Sequence, residues 1–170
     1  DIYNHLPLNI LIFAFSVFGS IEFYNMVSTK FSLFPKPLIV TFSCVLPIIS
    51  YVFSLIGLPY DACIMIFVLE IALLMGIEAL TSKTFENSFT KIASSTLIIF
   101  YCGFIFSFLQ RLTVVENSKY VISLFLVLVF LCDSAAWLFG VLFGKNNRGF
   151  IAASPKKSIA GFIGAFLATI

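Results

Sequence analysis

Five long apolar stretches constrain the fold of this 170-residue chain more than any other feature of its sequence. A helix needs roughly 20 predominantly apolar residues to cross a hydrocarbon core of ~30 Å. The stretches cover residues 7–27, 37–58, 62–80, 92–109 and 120–143, and a sixth covers residues 158–170. The sequence therefore predicts an all-α, polytopic transmembrane helix bundle with about five complete spans and the start of a sixth.

The composition excludes a soluble globular domain. Charged residues make up 11% of the chain and hydrophobic residues 61%, whereas a soluble domain carries about 25% charged residues. We expect residues 1–170 to form a single membrane-embedded domain, and we expect that domain to be part of a longer chain.

The four cysteines all lie inside apolar stretches, and no two of them form a Cys-x-x-Cys pair. Their spacing therefore does not indicate a zinc site or a disulfide framework. We expect Cys44, Cys63, Cys102 and Cys132 to be buried thiols that act as small apolar groups.

The basic residues are distributed unevenly among the loops that connect the apolar stretches. The first, third and fifth connections carry eight of the ten, namely Lys30, Lys36, Lys83, Lys91, Lys145, Arg148, Lys156 and Lys157. Because cytoplasmic loops carry an excess of Lys and Arg, these three connections are predicted to lie in the cytoplasm. We accordingly expect a multi-pass protein of the cell (inner) membrane whose active face is cytoplasmic.

One acidic residue, Asp133, lies inside the fifth apolar stretch, at membrane depth. Trp137, Gly140 and Gly144 follow it at helical spacing, which places all four residues on one helical face. A carboxylate in the hydrocarbon core is costly unless it is paired, lines a wet cavity or binds a cation. Asp133 is therefore predicted either to have a functional role or to form an interhelical hydrogen bond in its protonated form.

Small residues spaced four apart occur twice in this region, as Gly140 with Gly144 and as Gly161 with Ala165. Such pairs let helices approach one another closely in membranes, and close packing explains most of them. We predict a packing role for both pairs.

A basic loop, residues 144–158, connects the fifth apolar stretch to the sixth. Its polar residues include Lys145, Arg148, Ser154, Lys156, Lys157 and Ser158. Either Ser154 or Ser158 is a suitable N-cap for the following helix, and free N–H groups at a helix N-terminus attract anions. The loop is predicted to be a cytoplasmic substrate loop that binds phosphate, or else an anchor to anionic lipid headgroups.

The order of residues from 133 to 164 resembles that of one enzyme family. The order is Asp133-Ser134-Ala135-Ala136-Trp137, Gly140, Gly144-Lys145, Ser154-Pro155-Lys156-Lys157-Ser158, Gly161 and Gly164. It is similar to that of the phosphatidate cytidylyltransferases, also called CDP-diacylglycerol synthases. Ser158 stands where that family usually has threonine, a change that keeps the hydroxyl. The family's strongest signature, which includes the acidic residues that bind the catalytic metal, lies further downstream than Ile170.

The resemblance implies that the protein transfers the cytidylyl group of CTP to phosphatidic acid, giving CDP-diacylglycerol and pyrophosphate. It implies catalytic roles for Asp133 and Lys157, with Asp133 as a polar wall or an outer-sphere metal partner. The residues implied in binding the substrate phosphates are Ser154, Lys156, Lys157, Ser158, Lys145 and Arg148.

The resemblance also implies a cofactor and partners. The cofactor is Mg²⁺, whose main ligands are expected beyond Ile170, so this segment alone is expected to be inactive. The implied partners are CTP, phosphatidic acid, the lipid bilayer and a second copy of the chain in a homodimer. No nucleic-acid partner is expected.

Two other functions remain open from the sequence. One is a related CTP-dependent lipid enzyme such as a polyprenol or phytol kinase. The other is a membrane transporter that uses the intramembrane acids Glu70 and Asp133. Glu70 lies in the middle of the third apolar stretch and fits a substrate role or an interhelical hydrogen bond equally well. Glu22 and Glu78 lie close enough to span ends to be solvated.

Overall fold

In a computed structural model of the protein, which describes residues 5–152 and 154–170, the regular elements are helices and these residues form no β-strand. Five of the helices are long and apolar enough to cross a membrane. The predicted all-α, multi-pass helical fold is therefore confirmed.

The helices follow the apolar stretches of the sequence. The first three spans are α1 (Leu6–Val27), α2 (Lys36–Ile56) and α3 (Asp61–Thr81). The fourth span, Ser88–Arg111, consists of α4 (Ser88–Ile99), a π-helical turn (Phe100–Phe104) and α5 (Ile105–Arg111). The fifth span is α6 (Ser118–Phe143), and α7 (Ile159–Ala168) is a shorter apolar helix of 10 residues.

The chain divides into two compact units. Unit 1, Asp1–Glu116, contains α1 to α5, and unit 2, Asn117–Ile170, contains α6 and α7. The buried hydrophobic core of unit 1 consists of Phe34, Ile39, Leu46, Cys63, Leu74, Ile98 and Ile99. The expectation of a single membrane-embedded domain stays a prediction.

The π-helical turn brings the fourth span into close contact with α2. A Cβ atom added to Gly103 would lie 2.6 Å from the carbonyl oxygen of Ser43, so only a residue without a side chain fits there. The Ser16 hydroxyl donates to the carbonyl oxygen of Cys102 at 2.6 Å. Backbone carbonyls in a membrane helix need such partners because no water is available in the hydrocarbon core.

Glu78 is buried, with 3% of its surface exposed, so the prediction that it is solvated was wrong. Its Oε1 accepts hydrogen bonds from the hydroxyls of Ser82 at 2.5 Å and Ser88 at 2.6 Å, and its Oε2 forms an ion pair with Lys91 Nζ at 2.6 Å. These partners also explain why the fourth span begins at Ser88 rather than at residue 92. Ser88 and Lys91 in the first turn of α4 both bind Glu78, so these polar residues can be part of the helix.

We expect Lys91→Met to lower the thermal stability of the protein. The change removes the cation from a buried carboxylate, and breaking a buried pair by removing one partner is strongly destabilising. The matched control is Lys83→Met, because Lys83 is exposed in the loop after α3. Thermal unfolding of both variants in detergent measures the effect, and equal midpoints for the two would contradict the structural role of the pair.

Candidate functional site

Unit 2 is built on a close contact between α6 and α7 through small residues. A Cβ atom added to Gly161 would lie 2.7 Å from the carbonyl oxygen of Ala136 and 3.6 Å from the Cα of Gly140. A Cβ atom added to Gly164 would collide with the ring of Phe139. The predicted packing role of the glycines is confirmed for this contact, in which the backbones of two apolar helices approach closely.

Ser158 is the N-cap of α7. Its hydroxyl oxygen accepts a hydrogen bond from the backbone N–H of Gly161 at 3.1 Å, and 4% of the residue is exposed. A Cβ atom added to Gly144, the C-cap of α6, would lie 2.8 Å from the Ser158 Cβ. The two helix ends therefore meet at Ser158 and Gly144, and of the two predicted N-caps Ser158 is the one used.

The loop between α6 and α7 folds back on itself, so that its two ends run side by side. The backbone N–H of Ile159 donates to the carbonyl oxygen of Asn147 at 3.1 Å, and that of Gly149 donates to the carbonyl oxygen of Lys157 at 3.4 Å. Gly149 has a φ of 82°, a left-handed conformation that favours glycine. This closure places Arg148 opposite Ser158 in an isolated antiparallel bridge.

An open groove of about 730 Å³ runs along unit 2 between α6, α7 and this loop. We call it the α6–α7 groove. Five residues predicted from the sequence as site residues line it, namely Asp133, Arg148, Lys156, Lys157 and Ser158. Its remaining walls are mainly apolar or aromatic and include Trp137, Phe162 and Phe166. Two predicted phosphate-binding residues, Lys145 and Ser154, are not among its lining residues.

The charged residues of the groove are separated along its length. Arg148, Lys156 and Lys157 belong to the loop, and the Lys157 Nζ lies 5.7 Å from the ring centroid of Phe162. Asp133 precedes the loop end of α6 at Gly144 by about 16 Å along the helix axis, at ~1.5 Å per residue. The groove therefore has a cationic end at the loop and a membrane-embedded end that contains Asp133.

A sequence model of the cytidylyltransferase family matches residues 2–170. The chain belongs to the cytidylyltransferase family. It is also 33% identical, over 98 residues, to a phosphatidate cytidylyltransferase from Staphylococcus saprophyticus subsp. saprophyticus. That match covers 58% of this chain and 36% of the relative, and no solved structure matches the chain. The resemblance seen in the sequence is thereby confirmed at the level of the family.

The described part of this cytidylyltransferase-family chain contains no group of three or more His, Cys, Asp or Glu residues placed to hold a metal ion. Mg²⁺ requires octahedral oxygen ligands, and Asp133 is the one acid among the described residues that line the groove. Asp133 alone does not make a magnesium site. Its outer-sphere role and the Mg²⁺ cofactor stay predictions.

Several groove residues were not predicted from the sequence. Phe162, Phe166 and Thr169 line the groove from α7 and the residue that follows it, and Cys132 lines it from α6. Cys132 is half-exposed, so the prediction that all four cysteines are buried was wrong for it, whereas Cys44, Cys63 and Cys102 are buried. The spacing of Phe162, Phe166 and Thr169 is that of one helical face and was an available signal.

We expect Ser158→Ala to destabilise unit 2 by about 1 kcal/mol, because loss of a serine N-cap costs about 0.5–2 kcal/mol. Ser154→Ala is the matched control. Ser154 accepts a hydrogen bond from the Lys157 N–H through its backbone carbonyl oxygen, and the substitution keeps that oxygen. Chemical unfolding followed by tryptophan fluorescence reports on this unit, because the single tryptophan, Trp137, lies in it. If the denaturant concentration at the unfolding midpoint were unchanged in Ser158→Ala, the N-cap would not stabilise α7.

Proposed function

We propose that the native protein transfers the cytidylyl group of CTP to phosphatidic acid, giving CDP-diacylglycerol and pyrophosphate for phospholipid synthesis. Membership of the cytidylyltransferase family supports this proposal. The observation that carries it is the α6–α7 groove, which joins the cations of Arg148, Lys156 and Lys157 to an apolar, aromatic trough. An anionic lipid presents the same combination of a phosphate and hydrocarbon.

The proposed reaction is a displacement at phosphorus. An oxygen of the lipid phosphate attacks the α-phosphorus of CTP and forms a new phosphorus–oxygen bond. The bond from the α-phosphorus to the oxygen bridging it to the β-phosphorus breaks, and pyrophosphate leaves with that electron pair. Phosphoryl-type transfers depend mainly on alignment and on neutralisation of charge.

The loop residues are assigned roles on this basis. Lys156, Lys157 and Arg148 bring fixed positive charge to the phosphates, and Ser158 holds the start of α7 against them. A serine hydroxyl has a donor besides its acceptor lone pairs, so capping does not prevent Ser158 from donating to an anion. Lys145 and Ser154, which lie outside the groove, contribute to attracting and positioning anions from the loop surface. Asp133 contributes a polar side chain to the wall of the groove at its membrane-embedded end.

The site of action follows from the same proposal. The chain is a multi-pass membrane protein, with five helices able to span a bilayer. We assign it to the cell (inner) membrane with the loop at residues 144–158 in the cytoplasm, where CTP is found. The excess of basic residues in alternate connections supports this orientation, and a homodimer remains part of the proposal.

Label position in CTP tests the proposed function against its alternatives. Phosphatidic acid is the acceptor. Label that starts in the α-phosphate of CTP is expected in the lipid product, and label that starts in the γ-phosphate is expected in pyrophosphate. A polyprenol or phytol kinase would instead move γ-label to a lipid alcohol. A transporter would give no labelled lipid and would show uptake into proteoliposomes that falls in Glu70→Gln and Asp133→Asn variants.

A further inference from the structure

The two ends of the α6–α7 groove differ in chemistry, and this difference distinguishes between the two proposed substrates. At the loop, the cations of Arg148, Lys156 and Lys157 line it. Away from the loop its walls carry Trp137, Phe162 and Phe166, and Asp133 and Thr169 add polar groups further along the two helices. A nucleoside triphosphate has three charged phosphates, a ribose and a polar base, whereas a phospholipid has one phosphate followed by hydrocarbon. A cationic end followed by apolar and aromatic walls fits the headgroup and chains of the lipid.

The dimensions of the groove agree with this assignment. On α6 its lining runs from Cys132 to Val141, which is about 14 Å at ~1.5 Å per residue. One leaflet of a bilayer with a core of ~30 Å has a hydrocarbon depth of about 15 Å. The length of the groove therefore matches the hydrocarbon depth of a single leaflet.

The aromatic side chains of the groove are exposed within unit 2. Trp137 is 69% exposed, Phe162 46% and Phe166 65%. Trp137 lies on the same face of α6 as Gly140, at the close contact with α7, so its ring stands at the edge of the groove. Large, rigid aromatic rings contribute contact area to apolar ligands at a small cost in conformational entropy.

We propose that the α6–α7 groove is the subsite for the lipid phosphomonoester, with its phosphate at Arg148, Lys156 and Lys157 and its acyl chains against Trp137, Phe162 and Phe166, and that CTP binds outside this groove in the native protein. This inference rests on the proposed function for the identity of the lipid as a substrate. Its geometric part, that a lipid phosphate occupies the groove, is testable without turnover.

Photolabelling of the full-length protein in phosphatidylcholine vesicles tests the geometric part. The probe is phosphatidic acid with a diazirine in one acyl chain, and the labelled peptides are mapped by mass spectrometry. We expect label on the peptides that contain Trp137, Phe162 and Phe166. Unlabelled phosphatidic acid at ten times its Kd is expected to lower the labelling about tenfold, and CTP is expected not to lower it.

Two further ligands separate the contributions of phosphate and chain. A diacylglycerol probe has the chains without the phosphate, and glycerol 3-phosphate competes with the phosphate alone. We expect weak labelling by the first and weak competition by the second. If the diacylglycerol probe labelled the groove as strongly as the phosphatidic acid probe, the proposed role of the cations would be wrong. If glycerol 3-phosphate competed strongly, the groove would be a simple anion site and not a lipid subsite. Label outside the groove, or competition by CTP equal to that by phosphatidic acid, would overturn the assignment of the groove to the lipid.

A specificity effect of Trp137 provides a second, independent test. We expect Trp137→Ala to raise the KM for phosphatidic acid about tenfold, equivalent to about 1.4 kcal/mol of binding, and to leave the KM for CTP unchanged. Phe143→Ala is the matched control, because Phe143 is an exposed aromatic residue of α6 that does not line the groove. A rise in the KM for CTP alone would place the nucleotide in the groove.

The photolabelling and the transfer assay distinguish the failure of this inference from the failure of the proposed function. Labelling of the groove without any cytidylyl transfer would retain the lipid subsite and refute the proposed function. Cytidylyl transfer with the label outside the groove would retain the proposed function and refute the lipid subsite.

Discussion

Lys157→Ala is expected to lower kcat/KM for phosphatidic acid in cytidylyl transfer about 100-fold, because misplacing a reacting group by about 1 Å can cost that much in rate. Lys157 lies in the loop at the cationic end of the α6–α7 groove, immediately before the N-cap Ser158. In the proposed lipid subsite its ammonium group binds the lipid phosphate and aligns the oxygen that attacks the α-phosphorus of CTP. The effect should therefore appear in kcat/KM for phosphatidic acid and leave the KM for CTP unchanged. Steady-state assays with CTP and phosphatidic acid in mixed micelles measure it.

Two controls separate this charge effect from misfolding. Lys157→Arg keeps the positive charge and should lose much less activity than Lys157→Ala, although the shape of the donor changes. Lys83→Ala removes an exposed lysine from the loop after α3 and should leave activity unchanged. Thermal unfolding of Lys157→Ala should match that of the wild type, because the side chain is exposed. Full activity in Lys157→Ala would refute the assignment of this residue.

Gly161→Leu is expected to abolish the close contact between α6 and α7. A Cβ atom at this position would lie 2.7 Å from the carbonyl oxygen of Ala136 and 3.2 Å from the Ser158 Oγ. The backbone cannot move aside as a flexible side chain can, so the two helices must separate. We expect this to lower the free energy of unfolding by about 1–3 kcal/mol or more. Separation also widens the groove and displaces its cations. Both the unfolding midpoint and the transfer rate should fall, and Gly161→Ala should show the same effects to a smaller degree.

Gly76 offers the matched control for this prediction. It lies within α3, and a Cβ atom there would meet nothing within 4 Å. Gly76→Leu adds the same side chain to open space on a helix, where replacing glycine in a helix interior is favourable by up to about 1 kcal/mol. We expect it to keep stability and activity. If Gly161→Leu behaved like Gly76→Leu, the contact at Gly161 would not hold the two helices together.

The number and positions of the spans were predictable because each one is specified locally by a run of apolar residues. The long-range partners of polar residues were not. Glu78 lies near the end of α3, and only the antiparallel return of α4 brings Ser88 and Lys91 to it. The π-helical turn likewise contacts Ser43 of α2 and Ser16 of α1, which lie far from it in the sequence.

The candidate site was predictable in its loop and less so in its walls. Ser158 as N-cap and the glycine contact are local or near-local features of residues 133–164. That Arg148 approaches Ser158 depends on the hydrogen bonds that close the loop. The exclusion of Lys145 and Ser154 from the groove has the same origin, since proximity in sequence does not fix which side of a closed loop a side chain occupies.

Product analysis of the purified native protein is the decisive test of cytidylyl transfer. With CTP and phosphatidic acid, we expect CDP-diacylglycerol and pyrophosphate to form in equal amounts, and neither to form when phosphatidic acid is left out. Release of CDP or inorganic phosphate in place of pyrophosphate, or turnover of CTP that does not depend on phosphatidic acid, would contradict it.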